Sequence, residues 1–291
     1  MNTAFEQYLN FVKNFAQLHK KAAEIPLGES NPKIDSPKTG PKVMICSPHP
    51  DDECVVGALP LRMQQEMDAE ISNLAVTLGS NEDRKKGRLA ELEKACETLN
   101  FNLLLPGESA LDGVNLTTKK SNPELWSENA AAIVDILKTE LPEILFFPHD
   151  NDYNSTHIGV HFLMMEAIAN VQNEKADWQP TIIETEFWHM MEKPNLMVAV
   201  SDEDEAKLIY ALSAHTGEVE RNPYHVNHPA RMLDNVTRGA EVVGSQGGEA
   251  PECNFAMIYR CSKMKNGIAV PAWDGGKIIG VNDDIKSAIF S

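Results

Sequence analysis

An imidazole and three carboxylates directly follow a short apolar run near the start of the chain. The run Val43 to Ser47 leads, after one proline, into His49-Pro-Asp-Asp-Glu53. Short apolar runs bounded by breakers are typical of buried strands, and open α/β sheets bind ligands at the carboxyl ends of their strands. Imidazole nitrogen and carboxylate oxygen suit a borderline divalent metal such as zinc. We therefore predict a metal site here, with His49 and Asp52 as two ligands, rather than an ordinary surface turn.

A second polar cluster follows another apolar run, Ile144 to Phe147. Catalytic metal sites typically take three protein ligands and keep one position for water, so this cluster is expected to supply the third ligand. The candidates are His149, Asp150, Asp152, His157 and His161. His157 follows Asn-Ser-Thr, a natural helix N-cap segment, which would place it at a helix start facing the same edge of the sheet.

Asp51 is then the carboxylate left for proton transfer. Neighbouring residues in an irregular turn point in different directions, so Asp52 can bind the metal while Asp51 faces a water. A metal lowers the pKa of a bound water toward ~7, and a nearby carboxylate can accept its proton. This arrangement suits attack of the water on an amide or ester carbonyl. Glu53 is expected to accompany the helix start, where negative charge is favourable.

Strands and helices alternate through the segments that must position these residues. Hydrophobic patterning predicts strands at 43–47, 71–78, 103–105 and 144–147, with helices at 53–67, 84–99, 126–137 and 158–171. The alternation predicts an α/β fold, a Rossmann-like, mostly parallel sheet with helices on both faces. Later strands are predicted at 181–188, 197–200 and 255–261, and helices at 202–213 and 229–242. No G-x-G-x-x-G follows the first strand, which argues against dinucleotide binding.

The chain divides into three predicted parts. Residues 1–25 form an amphipathic helix, residues 26–41 have the proline- and glycine-rich composition of a linker, and residues 42–291 form a single catalytic domain. The helix is expected to pack on the main domain or on a second subunit, which makes a homo-oligomer possible.

Composition narrows the class of partner. The 43 acidic residues outnumber the 26 basic ones, for a net charge of −17, which repels nucleic-acid backbones and anionic membranes. No apolar run approaches the ~20 residues of a membrane span, and the N-terminus lacks the features of a secretory signal. The five cysteines form no CxxC pair, so we predict reduced thiols in a cytoplasmic protein. A thiolate ligand at Cys54 is disfavoured because the helix predicted after the turn would carry it away from the site.

The His49-to-Glu53 signature after an apolar strand resembles the GlcNAc-phosphatidylinositol de-N-acetylase family, also called PIG-L or LmbE-like. Arg88-x-x-Glu91 and His157 add to the resemblance, which covers roughly residues 42–170. It implies an LmbE-like fold and a zinc-dependent hydrolase, with one Zn²⁺ per chain, that removes acetyl groups from N-acetylated sugars and their conjugates. By resemblance, the zinc ligands are His49, Asp52 and His157, the general base is Asp51, and Arg88 contacts substrate. Arg84 lies four residues earlier and could occupy the position of the family's substrate-contacting arginine in place of Arg88. Alternatively, Arg88 could only pair with Glu91 on the helix surface.

The chain departs from this family at Asn154, where relatives commonly carry a histidine that assists the oxyanion or the leaving group. An amide can donate a hydrogen bond but cannot deliver a proton. Either Asp51 returns the proton to the amine, or another histidine substitutes: His149, His189, His215, His225 or His228. Trp188, His189 and the turn from Tyr224 to His228 are candidates for the pocket wall, because aromatic faces can stack on sugar rings.

The leading hypothesis is a hydrolase that removes an N-acetyl group from a small amino-sugar-containing molecule. Another small-molecule amide or ester hydrolase on the same metal centre is the first alternative. A sugar- or metal-binding protein without turnover is the second, and a nucleotide-binding oxidoreductase is a distant third. The absence of basic or apolar anchors argues against a lipid-linked substrate held at a bilayer.

Overall fold

The computed structural model describes residues 3–28, 38–265 and 268–290. A nine-stranded sheet runs through the centre of this described part. Its strands are β1 (Lys42–Ser47), β2 (Glu70–Ala75), β3 (Asn102–Leu104), β4 (Ile144–Pro148), β5 (Thr181–Thr185), β6 (Leu196–Val200), β7 (Phe255–Lys265), β8 (Ile268–Pro271) and β9 (Lys277–Ile279). They lie in the order β3-β2-β1-β4-β5-β7-β6-β9, with β8 paired to β7.

The sheet is mostly parallel. The first five strands in this order pair in parallel, whereas β7 runs antiparallel between β5 and β6. The chain moves outward from β1 to β2 and β3, then returns to add β4 and β5 on the other side. The strand order therefore reverses between β1 and β4, which is where open α/β sheets form their ligand crevice.

Helices cover both faces of the sheet. They are α1 (Thr3–Ala22), α2 (Asp52–Val55), α3 (Ala58–Glu66), α4 (Glu82–Leu99), α5 (Leu116–Ser121), α6 (Pro123–Glu140), α7 (Ser155–Glu174), α8 (Asp202–Leu212), α9 (Thr216–Val219), α10 (Tyr224–Gly239) and α11 (Ile285–Phe290), with a π-helical segment at Ala240–Gly244. Alternate side chains of β1 enter opposite cores: Val43 and Ile45 pack with α3, α4 and α8, and Met44 and Cys46 pack with α6 and α7. Burial on both faces explains why the interior of β1 and the whole of β4 are apolar. The predicted α/β fold class is confirmed.

Several predicted boundaries were wrong. The helix predicted at 53–67 is interrupted at residues 56–57 between α2 and α3, where a Cβ on Gly57 would lie only 2.6 Å from the carbonyl oxygen of Glu53. The strands predicted at 71–78 and 181–188 end at Ala75 and Thr185, and the helix predicted at 229–242 begins at Tyr224. The short elements α5, α9, α11, β8 and β9 were not predicted, because three to six residues show too little periodicity.

The predicted N-terminal helix is present as α1, but it is not packed into the main domain, which was one of the two predicted alternatives. No residue of α1 is buried, and its large apolar side chains are exposed, including Tyr8 at 73% and Phe11 at 66%. A hydrogen bond of 2.7 Å joins His19 Nε2 to Asn227 Oδ1 at the start of α10. Residues 29–37 of the predicted linker lie outside the described residues. Among the described helices, none has the length and apolarity needed to cross a bilayer.

Candidate active site

Three side chains from the carboxyl ends of β1 and β4 converge on one point. His49 Nδ1 lies 3.2 Å from His157 Nε2, and each of these nitrogens lies 3.5 Å from Asp52 Oδ2. His49 follows β1, Asp52 begins α2, and His157 lies in the first turn of α7 after β4. The structure thus brings together the three ligands predicted from the two polar clusters.

The donor set fits a divalent metal ion. Donors bonded to a tetrahedral zinc at 2.0–2.1 Å lie about 3.4 Å from one another, and the three distances here are 3.2 to 3.5 Å. Burial opposes ionisation of Asp52, but the His157 and His49 imidazoles outweigh it and lower the pKa of that carboxyl. Burial lowers the pKa of His157. Both shifts favour the deprotonated forms that metal ligands require.

A second carboxylate lies beside His157. Asp152 Oδ1 lies 3.5 Å from His157 Nδ1, on the side of the ring away from Asp52. Asp152 is in turn held by the backbone N–H groups of Asn154 and Trp188, at 2.8 and 3.1 Å. Carboxylates in this position commonly fix the tautomer and raise the basicity of a metal-bound histidine.

Asn154 is the N-cap of α7. Its side-chain Oδ1 accepts hydrogen bonds from the backbone N–H groups of Thr156, at 2.8 Å, and His157, at 3.4 Å. The residue that departs from the family pattern therefore sets the start of the helix that carries His157. Asn154 also lines the cavity described below.

Asp51 has the opposite pKa shift to its neighbour Asp52. Burial, and then the charge of Asp52, raise the pKa of Asp51 well above its usual range, while the Arg88 guanidinium opposes the shift. Its backbone has a φ of +110°, a conformation uncommon for a residue with a side chain. The two adjacent carboxyls are thus held in different environments, one suited to binding a metal and the other to accepting a proton.

The Glu53 side chain stabilises the backbone of this turn by a hydrogen bond. Its Oε2 accepts the backbone N–H of Asp51 at 3.0 Å, and its Oε1 lies 2.7 Å from His215 Nε2. Both side chains are fully buried. The expected role of Glu53 at the helix start was therefore incomplete, because its main partner lies 162 residues further along the chain. Cys54 donates to Glu53 Oε1, and burial raises its thiol pKa well above the usual range, so it is not suited to be a thiolate ligand.

A cavity of about 690 Å³ opens over the three converging side chains, within the usual size range of small-molecule sites. Of the predicted site residues, those that line it are His49, Asp51, Asp52, Arg88, Asn154, His157 and Trp188. Tyr224 and His228 also line it, and the Trp188 and Tyr224 rings meet edge to face with centroids 5.6 Å apart.

Two predicted site residues are not part of the cavity wall. His149 is fully buried, with its Nε2 3.0 Å from the carbonyl oxygen of His189 and its Nδ1 accepting the N–H of Asn151. His189 itself is exposed and does not line the cavity. Of the five histidines considered as proton donors, only His228 reaches the wall. Its ring nitrogens lie 2.7 Å from Glu205 Oε1 and 3.0 Å from the carbonyl oxygen of Val55.

Arg88 contacts the backbone of the turn. Its Nη2 donates to the carbonyl oxygen of Pro50 at 2.9 Å and its Nη1 to that of Leu78 at 3.3 Å. The alternative pairing with Glu91 is not seen, because Glu91 Oε1 accepts from Thr216 and Gly217.

Glu218, Arg221 and Arg231 also line the cavity and were not predicted. Nothing in their spacing marks them, because Glu218 and Arg221 look like an ordinary ion pair three residues apart on a helix surface.

The sequence family PIG-L, described as GlcNAc-PI de-N-acetylase, matches residues 44–168. Residues 44–168 are a PIG-L family domain. This PIG-L domain contains all three converging side chains together with Asp51 and Arg88, so the resemblance drawn from the signature is confirmed. No curated protein matches the sequence significantly.

Solved structures share the fold. N,N'-diacetylchitobiose deacetylase from Pyrococcus horikoshii is 20% identical, with a TM-score of 0.55 over 86% of this chain and 92% of that one. The zinc-inhibited form of teicoplanin deacetylase Orf2 is 15% identical, with a TM-score of 0.52 over 77% of this chain and 99% of that one. The hydratase GalB from Pseudomonas putida KT2440 is 15% identical, with a TM-score of 0.55 over 76% of this chain and 95% of that one. Two of these neighbours are deacetylases and one is a hydratase, so the shared fold does not by itself determine the reaction.

Proposed function

We propose that this protein is a metal-dependent hydrolase that removes an N-acetyl group from a small molecule containing an amino sugar. The observation that carries the proposal is the meeting of His49, Asp52 and His157 beside Asp51 at the wall of one cavity. We further propose that the ion is Zn²⁺, one per chain, since two imidazoles and one carboxylate form a common catalytic zinc set. Such an ion supplies a Lewis acid for the carbonyl oxygen and makes a water nucleophilic near neutral pH.

Asp51 takes the proton of the attacking water. Its raised pKa makes it a stronger base than an ordinary aspartate once it is ionised. The same carboxyl then returns the proton to the departing amine, because His228, the one candidate histidine at the cavity, has both ring nitrogens engaged by the protein. Asn154 has its Oδ1 tied to the helix, which leaves its Nδ2 to donate a hydrogen bond toward the cavity.

The rest of the cavity wall offers the surface that a sugar needs. The Trp188 and Tyr224 rings supply apolar faces on which a pyranose can stack.

We place the protein in the cytoplasm, because its reducing conditions suit the five free cysteines. Asn154 keeps one alternative open, a protein that binds the sugar without turnover.

Acetate release from methyl N-acetylglucosaminide tests the proposal. Metal-loaded wild-type protein should release acetate, and Asp51→Asn should lower the rate by about 10²–10⁴-fold, the usual contribution of a positioned general base. The variant should keep its metal. Full activity of Asp51→Asn would contradict the proposed role of that residue, and binding of the glycoside without acetate release would favour the alternative.

A further inference from the structure

Three arginines surround one buried carboxylate on the cavity wall. Glu218 Oε1 accepts from Arg84 Nη2 at 2.6 Å and lies 3.6 Å from Arg88 Nε, while Glu218 Oε2 accepts from Arg221. Arg84 and Arg88 come from α4, more than a hundred residues away in sequence. Burial opposes ionisation of Glu218, but the three guanidiniums outweigh it and lower its pKa. We call these four residues the arginine wall.

The arginine wall has three guanidiniums and a single carboxylate, that of Glu218. The charge of Arg88 also opposes the rise in the pKa of Asp51, and Arg84 and Arg221 both contact the single carboxylate of Glu218. Glu91 of α4 accepts hydrogen bonds from Thr216 and Gly217 and does not line the cavity. Arg84 Nη2 also donates to the carbonyl oxygen of Gly217 at 3.1 Å, a contact that carries no opposing charge.

The wall of the cavity as a whole also has more arginines than carboxylates. Among the described residues, it is lined by four arginines and three carboxylates, one of which is the metal ligand Asp52. Arg231, the fourth arginine, donates to a backbone carbonyl oxygen, that of Glu186. This concentration of arginine lies on a chain with a net charge of −17, so the general composition does not explain it.

The unbalanced guanidiniums are accessible. The side chain of Arg221 is 62% exposed and that of Arg84 is 35% exposed, and each guanidinium has five N–H donors in a planar fork. Such forks bind carboxylates and phosphates in a bidentate manner. Arg88 links the arginine wall to the reacting centre, because it donates to Pro50 between His49 and Asp51.

From this geometry we propose that the substrate has an anionic group, a carboxylate or a phosphate, on the part of the molecule next to the acylated sugar. Arg84 and Arg221 bind that group, and Glu218 fixes the two guanidiniums in place. The inference rests on the proposed deacetylation, because it assigns the second half of the same substrate.

Three matched ligands test this inference: methyl N-acetylglucosaminide, its carboxymethyl counterpart and N-acetylglucosamine 1-phosphate. Calorimetric titration of metal-loaded Asp51→Asn protein gives dissociation constants without turnover. We expect at least one of the two anionic ligands to bind about tenfold or more tightly than the methyl glycoside, and the tighter of the two identifies the preferred anion. The preference should fall to about threefold or less in Arg221→Gln and in Arg84→Gln.

A charge-matched control comes from outside the cavity. Lys138 pairs with Glu174 between α6 and α7, and Lys138→Gln should keep the preference. Equal affinity for all three ligands would overturn the inference. A preference that survives both arginine substitutions would also overturn it, because the anion would then be bound by other groups such as the metal.

The two proposals fail in different ways. If wild-type protein releases acetate from the methyl glycoside as efficiently as from the anionic ligands, deacetylation stands and the anionic substrate does not. If the anionic ligands bind through Arg84 and Arg221 but none releases acetate, the arginine wall stands and deacetylation does not.

Discussion

Asp51 and Asp52 are adjacent in sequence, yet their environments separate them chemically. Asp52 lies between two imidazoles that lower its pKa, while Asp51 lies on a strained backbone where burial and its neighbour's charge raise its pKa. The strain is held by Glu53, which accepts the Asp51 N–H and is itself held by His215. A buried pair 162 residues apart in sequence thus determines where the proposed base lies.

His215→Ala should destabilise the protein and the turn together. The substitution leaves the buried Glu53 carboxyl without its imidazole partner, and breaking a buried pair of this kind costs about 3–5 kcal/mol. Urea unfolding measures the loss. His215→Gln serves as the control, since its amide N–H can replace the lost donor, and it should lose less stability and keep more activity. A loss below about 1 kcal/mol for His215→Ala would show that the pair does not hold the turn.

Helix α7 connects local stability to the proposed metal centre. Asn154 caps its N-terminus through Thr156 and His157, and His157 is one of the three proposed ligands. Any movement of the first turn therefore moves a ligand relative to His49 and Asp52.

Asn154→Ala should lower both stability and metal affinity. Loss of an N-cap costs about 1 kcal/mol, and loosening the ligand helix should weaken metal binding by about tenfold or more. Asn122, which caps α6 by accepting from Leu125 N–H, provides the matched control. Asn122→Ala should cost a similar amount of unfolding free energy and leave the metal dissociation constant unchanged. If the two variants bind metal equally well, the cap of α7 does not position His157.

The order of strands across the molecule explains why the site is where it is. The reversal between β1 and β4 brings the polar segments after these two strands to one edge, and the alternation of strands and helices up to residue 171 was enough to predict it. The antiparallel insertion of β7 between β5 and β6 was not predictable, because local periodicity does not report which strands pair. The arginine wall was also missed, because Glu218 and Arg221 meet α4 only through tertiary packing.

Helix α1 lies outside this arrangement and contributes little to it. None of its residues is buried, so removal of residues 1–25 should change the free energy of unfolding by less than about 1 kcal/mol. Its exposed apolar side chains are the expected contact for a second subunit. Sedimentation velocity should therefore show association of the full chain that the truncated chain has lost. A large loss of stability on truncation, or association that survives it, would contradict this role.

The most direct test of the whole account is metal titration of chelator-stripped protein while acetate release from an N-acetylglucosamine conjugate is followed in the same sample. We predict that acetate release is absent in the stripped protein, returns as Zn²⁺ is added and saturates at one equivalent per chain. His157→Ala should show no such saturation at one equivalent. Undiminished acetate release from the stripped protein, or normal titration of His157→Ala, would contradict the assignment of His49, Asp52 and His157 as the metal site on which hydrolysis depends.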